Sequence, residues 1–124
     1  MLLYVYVFSV MLVMVCSFPF FFPIVTICGD SMFPTMKDGE IYLGRRVFKK
    51  NKCKVGEIYV FKAPYSDREE RYVIKRLVDI RHHKHGKVEY FFLGDNSSDS
   101  YDSRYYGFVD CHYVVAHIVP RKEV

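Results

Sequence analysis

The first part of the chain is apolar throughout, and the rest mixes apolar and polar residues. Residues 1–28 are almost wholly Leu, Val, Ile, Phe, Tyr and Met, and no charged residue precedes Asp30. As a helix, residues 2–18 would span about 26 Å, close to the thickness of a hydrocarbon core. The apolar run continues through Pro19 and Pro23. We therefore predict a transmembrane anchor over residues 1–28, kinked near one of these prolines.

A cleaved signal peptide is the alternative interpretation of the same stretch. Such a peptide needs a basic region before a shorter apolar core, and the sequence has neither. Lys37, Arg45 and Arg46 follow the span, and basic residues next to a span favour the cytoplasmic side. This rule is weaker for long domains, so the pattern leaves the orientation open.

After the anchor, apolar residues come in short runs rich in Val, Ile, Tyr and Phe, which is typical of strands. The runs predict strands at residues 57–61, 71–78, 88–93 and 113–119. Clusters of Gly, Asn, Asp, Ser and Lys separate them, and no segment outside the anchor has a helical period. The expected fold class is mostly β: an N-terminal transmembrane helix followed by a small antiparallel β domain over residues 29–124.

Charge and cysteine content narrow the function classes. The net charge is +4, and the densest basic run is "RRVFKKNKCK", residues 45–54. That run could contact phosphate or anionic lipid, although a solvated loop is the preferred interpretation. The sequence has no features of a nucleic-acid-binding module. Cys53 and Cys111 could pair in an oxidising compartment.

No cofactor or metal site is expected. The four cysteines lack the spacing of metal ligands. His82, His83 and His85 cluster in a polar stretch with no ligand partner at suitable spacing, so a solvated hairpin tip is preferred over a metal site. His112 and His117 are assigned to the surface or core of the β domain.

Lys75, in "YVIKRLV", is unusual because alternation on a strand puts it on the same face as Val73 and Leu77. It could be a snorkelling lysine whose ammonium reaches water. Alternatively, it could be a desolvated amine that acts as a general base for a serine nucleophile. A free lysine is neutral in only about one molecule in 2,500 at neutral pH, so the second interpretation requires burial.

The polar stretch "GDNSSDSYDSRYYG" allows two interpretations. Asp, Asn and Ser satisfy their own backbone in turns, which makes a simple polar loop. Asp102 and Arg104 could form an ion pair that fixes this loop, and one of its serines could orient a base. The stretch alone does not decide between these.

Three ordered motifs after an apolar anchor resemble those of the type I signal peptidases, which are membrane-bound Ser-Lys endopeptidases. The motifs are "GDSMFPT" at 29–35, "YVIKR" at 72–76 and "GDNSSDSYDSRYYGFV" at 94–109. The resemblance covers nearly the whole chain. It implies that residues 29–124 form a catalytic domain.

Residue by residue, the resemblance implies that Ser31 is the nucleophile and Lys75 the general base. Ser100 matches the serine that orients the lysine, and Asp102 and Arg104 match the ion pair that braces the site. Met32 is implied as a wall of the substrate-binding site. The resemblance also implies that the N–H of Ser31 holds the oxyanion. Gly29 stands where some members have a second, serine donor.

The implied partners are preproteins with small residues one and three positions before the cut, the lipid bilayer, and a partner peptidase subunit. The implied location is a single-pass membrane protein with its catalytic domain on the non-cytoplasmic face, in a bacterial cytoplasmic or mitochondrial inner membrane. The chain departs from many members in the stretch after Arg76, where "LVDIRHHKHGK" replaces a Gly-Pro-Gly-Asp turn. Two alternatives stay open: an inactive, anchored β module that binds preproteins or assists a larger peptidase, and a protease dedicated to one partner.

Overall fold

A computed structural model describes residues 1–63 and 71–122. Its first element is an α-helix, α1 (Leu2–Phe21), whose side chains are exposed over nearly its whole length. The helix is long and apolar enough to cross a membrane. Pro19 lies inside it, and the helix ends before Pro23. The hydroxyls of Ser9 and Ser17 donate to backbone carbonyls of the preceding turn, which removes their unsatisfied polarity.

The remainder forms two antiparallel sheets. The small sheet pairs β1 (Ile24–Thr26) with β2 (Ile41–Leu43). The large sheet has the strand order β3-β8-β4-β5-β6-β7. Its members are β3 (Arg45–Arg46), β4 (Ile58–Lys62), β5 (Tyr72–His82), β6 (Val88–Leu93), β7 (Val109–Asp110) and β8 (Val114–Ile118). One short helix, α2 (Ser103–Tyr106), and short 3₁₀ turns join the strands. This arrangement confirms the predicted fold class.

The four predicted strands are confirmed as β4, β5, β6 and β8, and β6 has the predicted bounds. The strand β5 continues to His82, four residues beyond its predicted end, because it pairs with β6 along a hairpin. Asp79 and Arg81 in this extension are exposed and alternate with the half-buried Ile80, a polar pattern that looks like a loop in the sequence. The strands β1, β2, β3 and β7 were missed because segments of two or three residues carry too little periodicity.

Two apolar clusters cover opposite faces of β4. Tyr59 and Phe61 belong to one cluster, where the Phe61 and Phe92 rings stack at 4.3 Å between centroids. Ile58 and Val60 belong to the other. Since successive strand residues point to opposite faces, a strand buried on both sides has a continuous apolar run, as "IYVF" does. The second cluster also buries Met32 and Met36, and it thereby fixes the loop that contains Ser31.

Candidate active site

Ser31 lies in a turn between β1 and β2, and contacts on both sides of it hold this turn in place. Met32 is buried directly after it. The backbone N–H of Asn96 donates to the Ser31 carbonyl at 2.9 Å. The side-chain amide of Asn96 donates to the carbonyl of Asp30 at 3.0 Å. The Ser31 turn is therefore fixed by the core on one side and by the loop after β6 on the other.

Lys75 lies on the central strand β5, opposite Tyr59 of β4. Its ammonium nitrogen Nζ donates to Ser31 Oγ at 2.7 Å, and the residue is only 4% exposed. Burial lowers the pKa of Lys75, and the nearby charges of Asp102 and Asp99 partly oppose this shift. In its neutral form the same amine has a lone pair directed at the serine hydroxyl. The pair therefore has the geometry that proton transfer requires.

Asp102, which is fully buried, is the centre of a polar network beside Lys75. Its carboxylate accepts hydrogen bonds from Ser100 Oγ at 2.8 Å, the Gly94 N–H at 3.0 Å and Arg104 Nε at 2.9 Å. Burial favours the neutral acid, but the bonds from Arg104, Gly94 and Ser100 outweigh it and lower the pKa of Asp102 to about 2. Asp102 is therefore a carboxylate at neutral pH, and the ion pair predicted with Arg104 is present.

Ser100 lies next to this site, but its hydroxyl is bonded to Asp102. Within the described part of the chain, no hydrogen bond joins Ser100 to Lys75. The role of Ser100 in orienting the lysine stays a prediction.

Gly94 lies where the Ser31 turn and the Ser100 turn meet. A Cβ atom at this position would be 2.1 Å from Ser100 Oγ and 2.6 Å from the Ser31 carbonyl oxygen. These distances are far inside van der Waals contact, so the packing here leaves room only for glycine. In the sequence, Gly94 predicts only a tight turn, since the closeness of two distant segments is not visible there.

A second ion pair, between Arg76 and Asp95, joins the strand of Lys75 to the loop after β6. Arg76 Nε and Nη2 donate to the two carboxylate oxygens of Asp95 at 2.8 and 2.6 Å. Thr35, four residues after Ser31, donates its hydroxyl to the same carboxylate. Sequence reasoning missed this bridge, although the charged residues next to Lys75 and Gly94 were a usable signal.

A cleft of about 550 Å³ opens over Ser31 and Lys75. Residues 26–28 and 71–74 line it, together with Tyr101 and Tyr106. Met32, predicted as a wall, lines the cleft although most of its surface is in the core. Both tyrosines were missed as cleft residues because the sequence around them does not show which way their side chains point.

The N–H of Ser31 makes no hydrogen bond within residues 1–63 and 71–122, so it is available to donate to an oxyanion. The N–H of Gly29 is not available in the same way. It donates to Asp38 Oδ1 at 2.7 Å.

The remaining candidate ligands lie outside this cleft. His82, His83 and His85 lie at the end of the β5–β6 hairpin, where His83 hydrogen-bonds Glu89. His117 Nε2 lies 3.1 Å from a carboxylate oxygen of Glu57.

One further group, Asp110, Cys111 and His112, brings its possible ligand atoms within 4.8 Å of one another. These three residues are consecutive in the chain, which is not the spacing typical of structural metal sites. All four cysteines are free thiols, and Cys53 and Cys111 are buried in the same apolar cluster.

Comparison with protein-family models matches residues 1–81 and 82–121 to the family described as signal peptidase, peptidase S26. This match covers nearly the whole chain and confirms the resemblance inferred from the three motifs. A search among curated proteins finds no match to the chain.

Proposed function

Because the chain belongs to the signal peptidase family, peptidase S26, we propose that it is a membrane-anchored serine endopeptidase that removes signal peptides from preproteins. In this proposal Ser31 is the nucleophile and Lys75 the general base. The observation that carries it is the 2.7 Å contact between Lys75 Nζ and Ser31 Oγ, at a lysine that is only 4% exposed. A structural lysine has no need to be both buried and paired with a neutral hydroxyl.

The reaction begins with neutral Lys75, which takes the proton of Ser31 as its oxygen attacks the scissile carbonyl. The tetrahedral oxyanion accepts a hydrogen bond from the N–H of Ser31. Lys75 then gives its proton to the leaving amine, which leaves an ester on Ser31. Water, deprotonated by Lys75, attacks this ester and releases the signal peptide, and the proton returns to Ser31.

The network around Asp102 supports Lys75 in two ways. The buried carboxylate gives the protonated lysine a nearby negative charge, so the amine can carry the proton between the two halves of the reaction. Arg104 donates to both oxygens of the same carboxylate, at 2.9 and 3.1 Å, and so keeps it ionised. Ser100, bonded to Asp102, is proposed to limit the positions that the Lys75 side chain can take.

The substrate is proposed to lie extended in the cleft, between residues 26–28 and residues 71–74, with small side chains one and three positions before the cut. The helix α1 ends ten residues before Ser31 in the chain, at Phe21. A preprotein held in the bilayer by its own apolar segment would therefore present its cleavage site close to Ser31. The family resemblance favours the non-cytoplasmic face for this domain, although the basic residues after the span favour the other side.

The test is cleavage of a model preprotein, with alanine one and three positions before the cut, by the full chain in detergent. Ser31→Ala and Lys75→Met are expected to abolish cleavage. The first removes the attacking oxygen, and the second replaces the amine by an apolar side chain of similar length. Lys84→Met, at an exposed turn position, is the matched control and should cleave like the parent.

Thermal unfolding would show that each variant is folded. Undiminished cleavage by folded Lys75→Met would refute the dyad. A parent that binds the preprotein without cutting it would favour the anchored binding module, and cleavage only after a second subunit is added would favour a larger peptidase complex. A parent that cuts one dedicated partner but no general preprotein would redefine the substrate.

A further inference from the structure

An apolar face lies on the β domain next to the end of α1. Ile24 is directly opposite Leu43 in the β1–β2 sheet, and these residues are 73% and 57% exposed. Ile41, two residues before Leu43, is exposed on the same side because strand side chains alternate. We call these three residues the apolar face. Because large apolar side chains on one side of a sheet are costly in water, a covering surface is expected.

Phe48 is a further exposed apolar residue, and it packs against the end of the helix. Its ring lies 6.2 Å from that of Phe20 and 5.8 Å from that of Phe21, between centroids, and the residue is still 61% exposed. The guanidinium of Arg46 lies 4.5 Å above the Phe20 ring, and its Nε donates to the Phe20 carbonyl. Phe48 and Arg46 are therefore fixed at the carbonyl end of α1, where a spanning helix would leave the hydrocarbon core.

Arg46 and Phe48 belong to the run at residues 45–54, which we call the basic segment. It contains six Lys or Arg side chains and no acid, as "RRVFKKNKCK" shows. Lys50 is used internally, since its Nζ donates to the His112 carbonyl at 2.9 Å. Four exposed cations make no ion pair or side-chain hydrogen bond within the described parts of the chain: Arg45, Lys49, Lys52 and Lys54.

We infer that the basic segment binds the headgroups of anionic phospholipids, with Phe48 and the apolar face at the boundary between headgroups and acyl chains. The inference rests on the proposed membrane anchoring through α1. A negatively charged bilayer would cover Phe48 and the apolar face with acyl chains. Its headgroups would supply counter-charges for the unpaired cations of the basic segment. Each Lys or Arg close to an anionic leaflet raises the membrane-binding constant on the order of fivefold.

The chain contains no tryptophan, so Phe48→Trp introduces a single tryptophan reporter within the basic segment, beside the end of α1. The full chain would be reconstituted in phosphatidylcholine vesicles that contain a small fraction of brominated lipid. That lipid would be phosphatidylglycerol in one sample and phosphatidylcholine in the other. We expect quenching in both, severalfold stronger with brominated phosphatidylglycerol, and a loss of the difference in high salt.

Charge variants made in the same background isolate the basic segment. Replacing Lys49, Lys52 and Lys54 together by glutamine should remove the preference for phosphatidylglycerol. Replacing the same three by arginine keeps their charge and should preserve it. Hydrogen exchange over residues 45–54 of the unmodified chain gives a second measurement, with slower exchange expected in vesicles containing phosphatidylglycerol.

Equal quenching by the two brominated lipids, together with equal hydrogen exchange, would overturn the inference. The inference would also be overturned if neither brominated lipid quenched the tryptophan, since another surface would then cover these residues. Preprotein cleavage by the glutamine variant in neutral detergent should equal that of the parent. A parent that fails to cleave would count against the proposed function while the lipid measurements still decide this inference.

Discussion

Gly94→Ala should inactivate the site through packing alone, without removing any catalytic group. The added methyl would lie 2.1 Å from Ser100 Oγ and 2.6 Å from the Ser31 carbonyl oxygen, whereas ordinary contact begins at 3.4 Å. The neighbours must therefore move apart by about 1 Å, and one of them is the backbone of the proposed nucleophile. A misplacement of about 1 Å costs on the order of 100-fold in rate. Overpacking in a filled site also costs about 1–3 kcal/mol of stability.

The assay is kcat/KM for preprotein cleavage, measured beside the midpoint of thermal unfolding. Ser97→Ala is the control, since Ser97 is exposed in the same loop and, among the residues that the structure describes, only its backbone carbonyl bonds to the site, through Arg104. We expect a folded Gly94→Ala protein with a lower unfolding midpoint and about 100-fold lower kcat/KM, and no change for the control. Activity within twofold of the parent would show that Ser100 and Ser31 can separate freely, which would refute the packing argument.

Because burial lowers the pKa of Lys75, kcat/KM should rise with pH through an inflection below the ordinary lysine value of 10.5. Between the lowered pKa of Lys75 in the folded chain and its ordinary value in the unfolded chain, the unfolded chain binds more protons than the folded one. The free energy of unfolding should therefore also rise with pH in this range, and Lys75→Met should remove that rise. Asp102→Asn should lower the free energy of unfolding by about 2 kcal/mol at neutral pH. Since the pKa of Asp102 is about 2 in the folded chain, the difference from the parent should shrink as pH falls towards that value in denaturant titrations. A water-soluble maleimide should label Cys28 quickly and the buried Cys53 and Cys111 only after unfolding, and rapid labelling of all three by mass spectrometry would contradict their burial.

The strands that could be predicted from sequence are those with enough residues to show a pattern. The run "VEYFFL" gave β6 its bounds, and the continuous apolar run "IYVF" marks a strand buried on both faces. The extension of β5 through Asp79 and Arg81 could not be predicted in the same way. Its polar residues form a strand because β6 supplies the hydrogen-bonding partner, and that partner is known only once the hairpin has formed.

The candidate site was predicted as a set of residues, and its contacts were not. The motifs identify Ser31, Lys75, Ser100, Asp102 and Arg104. The structure pairs Ser31 with Lys75 in the cleft and joins the other three in one hydrogen-bonded network. The bridge from Thr35 through Asp95 to Arg76 was missed, as was the close packing at Gly94. These contacts join residues that are far apart in the chain, and a single sequence does not show which distant residues meet in the fold.

The sequence by itself determined the elements whose cause is local. A long uncharged apolar run makes α1, and short β-branched and aromatic runs make the central strands. The tertiary structure alone decided that Lys75 is buried with its amine 2.7 Å from Ser31 Oγ. Whether a strand lysine reaches water or loses it depends on which segments pack over it, here the Ser31 turn and the loop after β6. Desolvation is a property of that packing, and so the pKa of the proposed base follows from the fold.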